Sequence, residues 1–174
     1  MLDPELDAAR LLFAQTQADQ GRVETANRAL AEVSAHSPYA ATARVQQAWA
    51  LFEAGQQDAA LALVQAAVDG GDARALRTLA NMNRSLGRYE IAEPLYSRLI
   101  ADQPNEWRFY FARGAARERL DRWPGAEADF RQALTLSPEQ PDVMNYLAYT
   151  WVDRGENLDE ALPMLRRAVE LAYN

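Results

Sequence analysis

Apolar residues recur at three- and four-residue steps along nearly the whole chain, the spacing of amphipathic helices. Between Ala73 and Gln140 the pattern is written twice. The first copy reads Leu76, Ala80, Leu86-Gly87-Arg88-Tyr89, Ala92, Tyr96, Leu99, Pro104. The second reads Tyr110, Gly114, Leu120-Asp121-Arg122-Trp123, Ala126, Phe130, Ala133, Pro138. Every matched pair lies 34 residues apart. A constant period of this size signals an array of helix-turn-helix units.

Three further copies extend the register. The span 7–40 carries Ala14, Gly21, Ala26, Leu30 and Pro38. The span 41–72 carries Ala48, Gly55, Ala60, Val64 and Ala67, is two residues short, and ends on Asp69-Gly70-Gly71-Asp72 in place of a proline. The span 141–174 carries Leu147, Ala148, Trp151, Gly155, Ala161, Leu165 and Ala168. One residue is inserted in its turn, Glu156-Asn157-Leu158-Asp159, and Leu158 is expected to point inward where Tyr89 and Trp123 stand in other copies. With 73–106 and 107–140 the pattern predicts ten helices in five antiparallel pairs. Pro94, Pro124 and Pro163 are placed near the starts of second helices, where an N–H lacks an intrahelical partner. Taken as packing alone, these residues make the fold and leave the ligand open.

The pattern resembles the tetratricopeptide repeat family over almost the entire chain. The resemblance implies an all-α, right-handed superhelical solenoid in which Ala80 and Gly114 let the second helix approach, Ala92 and Ala126 do the same from the other side, and Tyr96 and Phe130 fill the gap. It implies that the first helix of each pair lines the concave side. The stretch from Asn145 to Ala161 is similar to repeats of large bacterial proteins of this family, some of them envelope lipoproteins that bring substrates to proteases or assembly machines. Two departures stand out. Arg113 and Arg117 occupy a face that is usually apolar, and Glu127 is expected to pair with one or both. Leu162, Leu165 and Val169 lie on the last helix without the polar capping helix a solenoid end needs. Either this is a segment of a longer array, the preferred reading, or another copy buries that end.

Composition narrows the functional classes. Of 174 residues, 49% are hydrophobic and 25% charged, which suits a folded chain. No apolar run reaches the length of a membrane span, and the acidic start Met1-Leu2-Asp3-Pro4-Glu5 does not read as a signal peptide. Neither compartment nor redox setting follows, since cysteine is absent. A net charge of -7 argues against general nucleic-acid binding. The lone histidine, His36, falls in a loop, and no metal-ligand spacing or phosphate loop is present. Asp153, Glu156, Asp159 and Glu160 read as helix capping rather than catalysis. The expectation is a protein that is not an enzyme and needs no metal or cofactor.

The resemblance then selects residues for partner contact. They are Trp49, Phe52 and Glu53; Arg74, Arg77, Asn81 and Arg84; Arg108, Phe111, Glu118 and Arg119; and Asp142, Asn145, Tyr146 and Tyr149. A groove of this make-up is basic at its centre and aromatic toward its ends, as binding hot spots often are. Arg77 and Asn81 resemble part of a clamp by which some family members hold a peptide's C-terminal carboxylate. Ala112, Asp142 and Tyr146 stand where the rest of the clamp would be, so the clamp is not expected. What remains is an acidic or carboxylate-ended protein segment across Arg74, Arg77, Arg84 and Arg108. The functional expectation is a scaffold or adaptor that binds a partner in its groove. The alternative is a structural homo-oligomer joined through its C-terminal end.

Overall fold

The computed structural model describes residues 4–173, which fold into ten helices and, among the described residues, no strand. The chain divides into two compact units, residues 1–86 and 87–174. The first holds α1 (Pro4–Asp19), α2 (Val23–Ala31), α3 (Ala40–Glu53), α4 (Gln57–Asp69) and α5 (Ala73–Ser85). The second holds α6 (Tyr89–Asp102), α7 (Trp107–Arg119), α8 (Trp123–Leu136), α9 (Pro141–Arg154) and α10 (Leu158–Tyr173). Within each unit, helices adjacent in sequence pack against each other.

Each second helix offers an alanine where side-chain bulk would hold its neighbours off. Ala26, Ala60, Ala92, Ala126 and Ala161 are all 0% exposed. Four residues on, Leu30, Val64, Tyr96 and Phe130 are buried and fill the adjoining space, while Leu165 is only half-buried. In the second unit Trp123, Phe130, Val143, Leu147 and Trp151 form one core. In the first, Leu11, Ala14, Ala26, Leu30 and Ala43 cluster.

Four of the turns inside the pairs share one closure. The residue after the left-handed position donates its N–H to a carbonyl five residues back, Arg22 to Gln17, Gln56 to Leu51, Arg122 to Arg117 and Glu156 to Trp151, at 2.8–2.9 Å. Glycine holds the left-handed position in four of the five pairs, but in the α7–α8 turn Asp121 takes it at φ 56°. Aspartate is among the few residues other than glycine that visit this region readily.

Several local expectations need correction. Leu158 is 53% exposed and does not replace the inward aromatic. The inserted residue lets Asn157 adopt φ 45° and accept the first helical N–H groups of α10, which leaves Leu158 outside at the helix start. Pro94 and Pro163 lie inside α6 and α10, beyond the first turn. Both are exposed, so solvent reaches the backbone whose helical bond they remove. Helix α2 stops at Ala31, well short of Pro38, and the intervening segment is closed by Ser34 and Ser37, whose hydroxyls accept from the N–H groups of His36 and Tyr39.

At Gly114 the second helix of its pair comes close to the backbone. A Cβ there would lie 2.8 Å from Phe130 Cε1 and 3.2 Å from the Ala126 carbonyl oxygen. Phe130 is fully buried and its ring has nowhere to retreat. Gly114→Ala should therefore lower stability by about 1–3 kcal/mol through overpacking, despite alanine's better helix propensity. Urea denaturation followed by circular dichroism checks this, and an unchanged or raised midpoint would refute it.

Candidate partner-binding faces

The arginines on the inner face of α7 are taken up by the fold. Arg113 donates from Nε and Nη2 to the two carboxylate oxygens of Asp129 at 2.9 and 2.7 Å, and from Nη1 to Ser97 Oγ at 3.1 Å. Arg117 donates to Asp129 at 3.0 Å and to Glu93 at 2.8 Å, and Arg122 adds a further ion pair to Glu93. Asp129 is 3% exposed, so these bonds replace its hydration almost completely. The expected partner, Glu127, is not in this network. It lies two residues away on α8 and turns toward α9, accepting from Arg131 and from Trp151 Nε1, each at 3.1 Å. Two residues of separation put Glu127 and Asp129 on different sides of the helix, and the side facing the arginines belongs to Asp129.

This network sets the protonation of its members. Burial pushes the Glu93 carboxyl up, but the hydrogen bonds and charges of Arg117 and Arg122 outweigh it and hold it below 4.5. The Arg113 guanidinium is held protonated more firmly than usual by its hydrogen bonds to Asp129.

In the first unit, the candidate residues lie on α3 and α5. Trp49 meets Phe52 edge-on with centroids 5.6 Å apart. Trp49 and Glu53 line a cavity of about 500 Å³ with residues of α1 and α2. Gln46 also lines it and keeps its side-chain carbonyl oxygen buried without a donor among the described residues. Helix α5 carries three arginines and no acid. Asp72 caps it by accepting from the Arg74 N–H at 2.9 Å. Arg74, Arg77 and Arg84 are exposed and Asn81 is half-buried. Arg74 donates to the Thr42 hydroxyl at 3.3 Å, and neither it nor Arg77 has a carboxylate partner among the described residues.

In the second unit the candidates divide. Arg108 pairs with Glu106 at 3.1 Å and stacks on Trp107, and Arg119 pairs with Glu118 at 3.5 Å. Phe111 and Tyr146 are half-buried and pack on Phe130, so both rings also serve the core. Tyr146 donates its phenol to Glu118 at 3.1 Å, and burial together with that carboxylate raises the phenol's pKa. Asp142, Asn145 and Tyr149 are exposed.

Glu118, Arg119, Asn145, Tyr146 and Tyr149 come together with Thr150 and Asp153 around a cavity of about 290 Å³. Thr150 and Asp153 were missed from sequence. Asp153 lies one helical turn beyond Tyr149 and could have been found by that spacing. It stands in the last turn of α9, so the capping role expected of it applies instead to Asp159 and Glu160 in the first turn of α10. Glu156 accepts from Trp123 Nε1 at 2.7 Å.

Residues 11–75, 77–141 and 119–172 match the tetratricopeptide repeat as a sequence family. No curated protein sequence matches the chain. Among solved structures, MamA from residue 41 to its end from Desulfovibrio magneticus RS-1 superposes with a TM-score of 0.80 at 18% identity, covering 99% of this chain and 98% of that one. A double mutant of MamA RS-1 gives 0.81 at 19% identity, covering 99% and 97%. MamA MSR-1 gives 0.72 at 24% identity, covering 96% and 97%. At these identities the likeness is one of fold.

Two outcomes follow from the ion network. Asp129→Ala leaves Arg113 with no carboxylate and Arg117 with Glu93 alone, and should destabilise the protein by about 3–5 kcal/mol, while Glu127→Ala, which takes the acceptor from the buried Trp151 Nε1 and one contact from the half-exposed Arg131, should cost less, about 1–3 kcal/mol. Thermal denaturation of the two variants checks the order. Because Glu93 has a depressed folded pKa, its contribution is present above 4.5 and is lost as pH falls below that value. Glu93→Gln should therefore flatten the acid limb of the stability profile.

Proposed function

The chain belongs to the tetratricopeptide repeat family, and from that premise we propose that this protein is a protein–protein interaction scaffold that holds a partner by a segment laid along the exposed faces of its first helices. One observation carries the reading: α5 presents Arg74 and Arg77 without carboxylate partners among the described residues, whereas α7 has its arginines matched to acids. An exposed guanidinium without a partner is ready to take a carboxylate through two parallel hydrogen bonds. The segment is accordingly acidic or carries a free C-terminal carboxylate in the first unit. Trp49 supplies an aromatic wall to the cavity that α3 lines with α1 and α2 in the same unit.

The second unit favours different side chains. Its cavity carries Glu118 and Asp153 against the single cation Arg119, with Tyr146 and Tyr149 beside them. It suits an aromatic or cationic side chain rather than a carboxylate. The activity is binding and not catalysis.

Titration of acidic peptides by fluorescence anisotropy tests the proposal. Arg77→Glu should weaken binding at least about tenfold, a loss of about 1.4 kcal/mol or more, with the wild-type affinity falling as salt rises. Binding that Arg77→Glu leaves unchanged would refute the placement.

A further inference from the structure

The first helices of the pairs share one register, and two of them carry the same two kinds of side chain on it. The residue after the buried Ala48 of α3 is Trp49, and the residue after the buried Ala148 of α9 is Tyr149. Four residues on, one turn along the same face, stand Glu53 and Asp153. Helix α5 has Asn81 and Ser85 at these positions, and α7 has Ala115 and Arg119. A cavity accompanies the ring and the acid in both cases. In the first unit, Trp49 and Glu53 line the cavity of about 500 Å³, to which α1 adds Asp19 and no basic residue contributes. In the second, Tyr149 and Asp153 line the cavity of about 290 Å³, to which α7 adds Glu118, and its one basic residue, Arg119, is paired with Glu118.

Both recurring carboxylates are uncommitted. Glu53 and Asp153 are exposed, and neither accepts a hydrogen bond or an ion pair among the described residues. Each stands in the last turn of its helix. The backbone carbonyls already concentrate negative charge there, so a cation is favoured and an acid is not. The helices therefore gain nothing from these two acids. The rings are open as well. Tyr149 is 65% exposed, and neither its phenol nor Trp49 Nε1 has a hydrogen-bond partner among the described residues.

We propose that each of these cavities takes an arginine side chain of a protein partner. A guanidinium lies flat on an aromatic face while its fork of N–H groups meets a carboxylate. A ring and an acid one turn apart on a helix offer both at once, and the carbonyl end of the helix adds to the attraction. Lysine would meet the carboxylate but has no plane to lay on the ring. The net charge of -7 draws a cationic segment toward the chain as a whole. This inference rests on the reading of the chain as a binding scaffold, and it is independent of the arginines on α5.

NMR titration of the isotope-labelled chain tests it, with a short glycine-serine peptide that has blocked ends and one central arginine. The comparison peptide carries citrulline, which keeps the shape of the side chain and loses its charge. The arginine peptide should give saturable shifts of the Trp49 indole N–H and of the Tyr149 backbone amide, and the citrulline peptide should give none. Asp153→Asn should abolish the shift at Tyr149 and keep the one at Trp49, and Glu53→Gln should do the reverse, so each variant is its own control for folding. Neither should lower the thermal midpoint, because neither acid has a partner in the fold. Equal responses to arginine and citrulline overturn the proposal, as does a Tyr149 shift that survives Asp153→Asn. A lowered midpoint for either variant marks its acid as part of the fold and overturns the assignment at that cavity. An acidic peptide titrated into the same wild-type sample separates this inference from the α5 site. If the acidic peptide binds and the arginine peptide does not, only the arginine cavities fall; if neither binds, both readings fall.

Discussion

The separation between paired helices is set by side chains that are nearly absent. At five equivalent places the second helix carries an alanine with no exposed surface, and in the second unit the facing residue, Gly114, has no side chain at all. Close-packed interiors have little room for an added methyl group. Once this distance is set, the next apolar residue along the helix must be large enough to fill what is left, and Tyr96 and Phe130 do so. The left-handed turn with its five-residue hydrogen bond then delivers α2, α4 and α8 in the same register.

The same constraint decides which charges are free. Positions 113 and 117 of α7 point toward the packed side, and both hold arginine. Their counterparts in α5 are Leu79 and Asn83, both buried, with Asn83 donating to the Leu79 carbonyl of its own helix. In α7 the buried cations must be matched, and Asp129 and Glu93 match them. In α5 the packed side is already neutral, so its arginines lie outside, and among the described residues no acid meets Arg74 or Arg77. The difference between a structural arginine and one open to a partner is thus a difference of helix face.

Apolar exposure follows the same logic. Leu162 and Val169 on α10, and Leu12 and Phe13 on α1, are unusual only in being uncovered. In the second unit the residues at these positions, Glu127 and Leu134 on α8 and Tyr146 and Leu147 on α9, take part in the contact between the two helices. A repeat cannot bury its joining faces alone, because each needs a neighbour to supply the other half.

Much of this was legible in the chain. The helix pairs, the buried alanines, the glycine turns and the residues that fill the core all follow from a local period, because a helix of 3.6 residues per turn converts sequence spacing directly into a face. Of the candidate contact residues, Arg74, Arg77 and Arg84 are exposed as that geometry requires, whereas Phe111 and Tyr146 also pack on the core. Tertiary structure alone decided that Asp129 and not Glu127 meets the arginines. Two residues of separation leave both acids within reach, and only the positions of α7 and α9 select between them. It also decided that Leu158 stays outside, since one inserted residue changes which way a helix start faces without altering any composition or period. Spacing along one helix determines what can be buried, while the choice of partner depends on distances between helices, and those distances are not written in any single repeat.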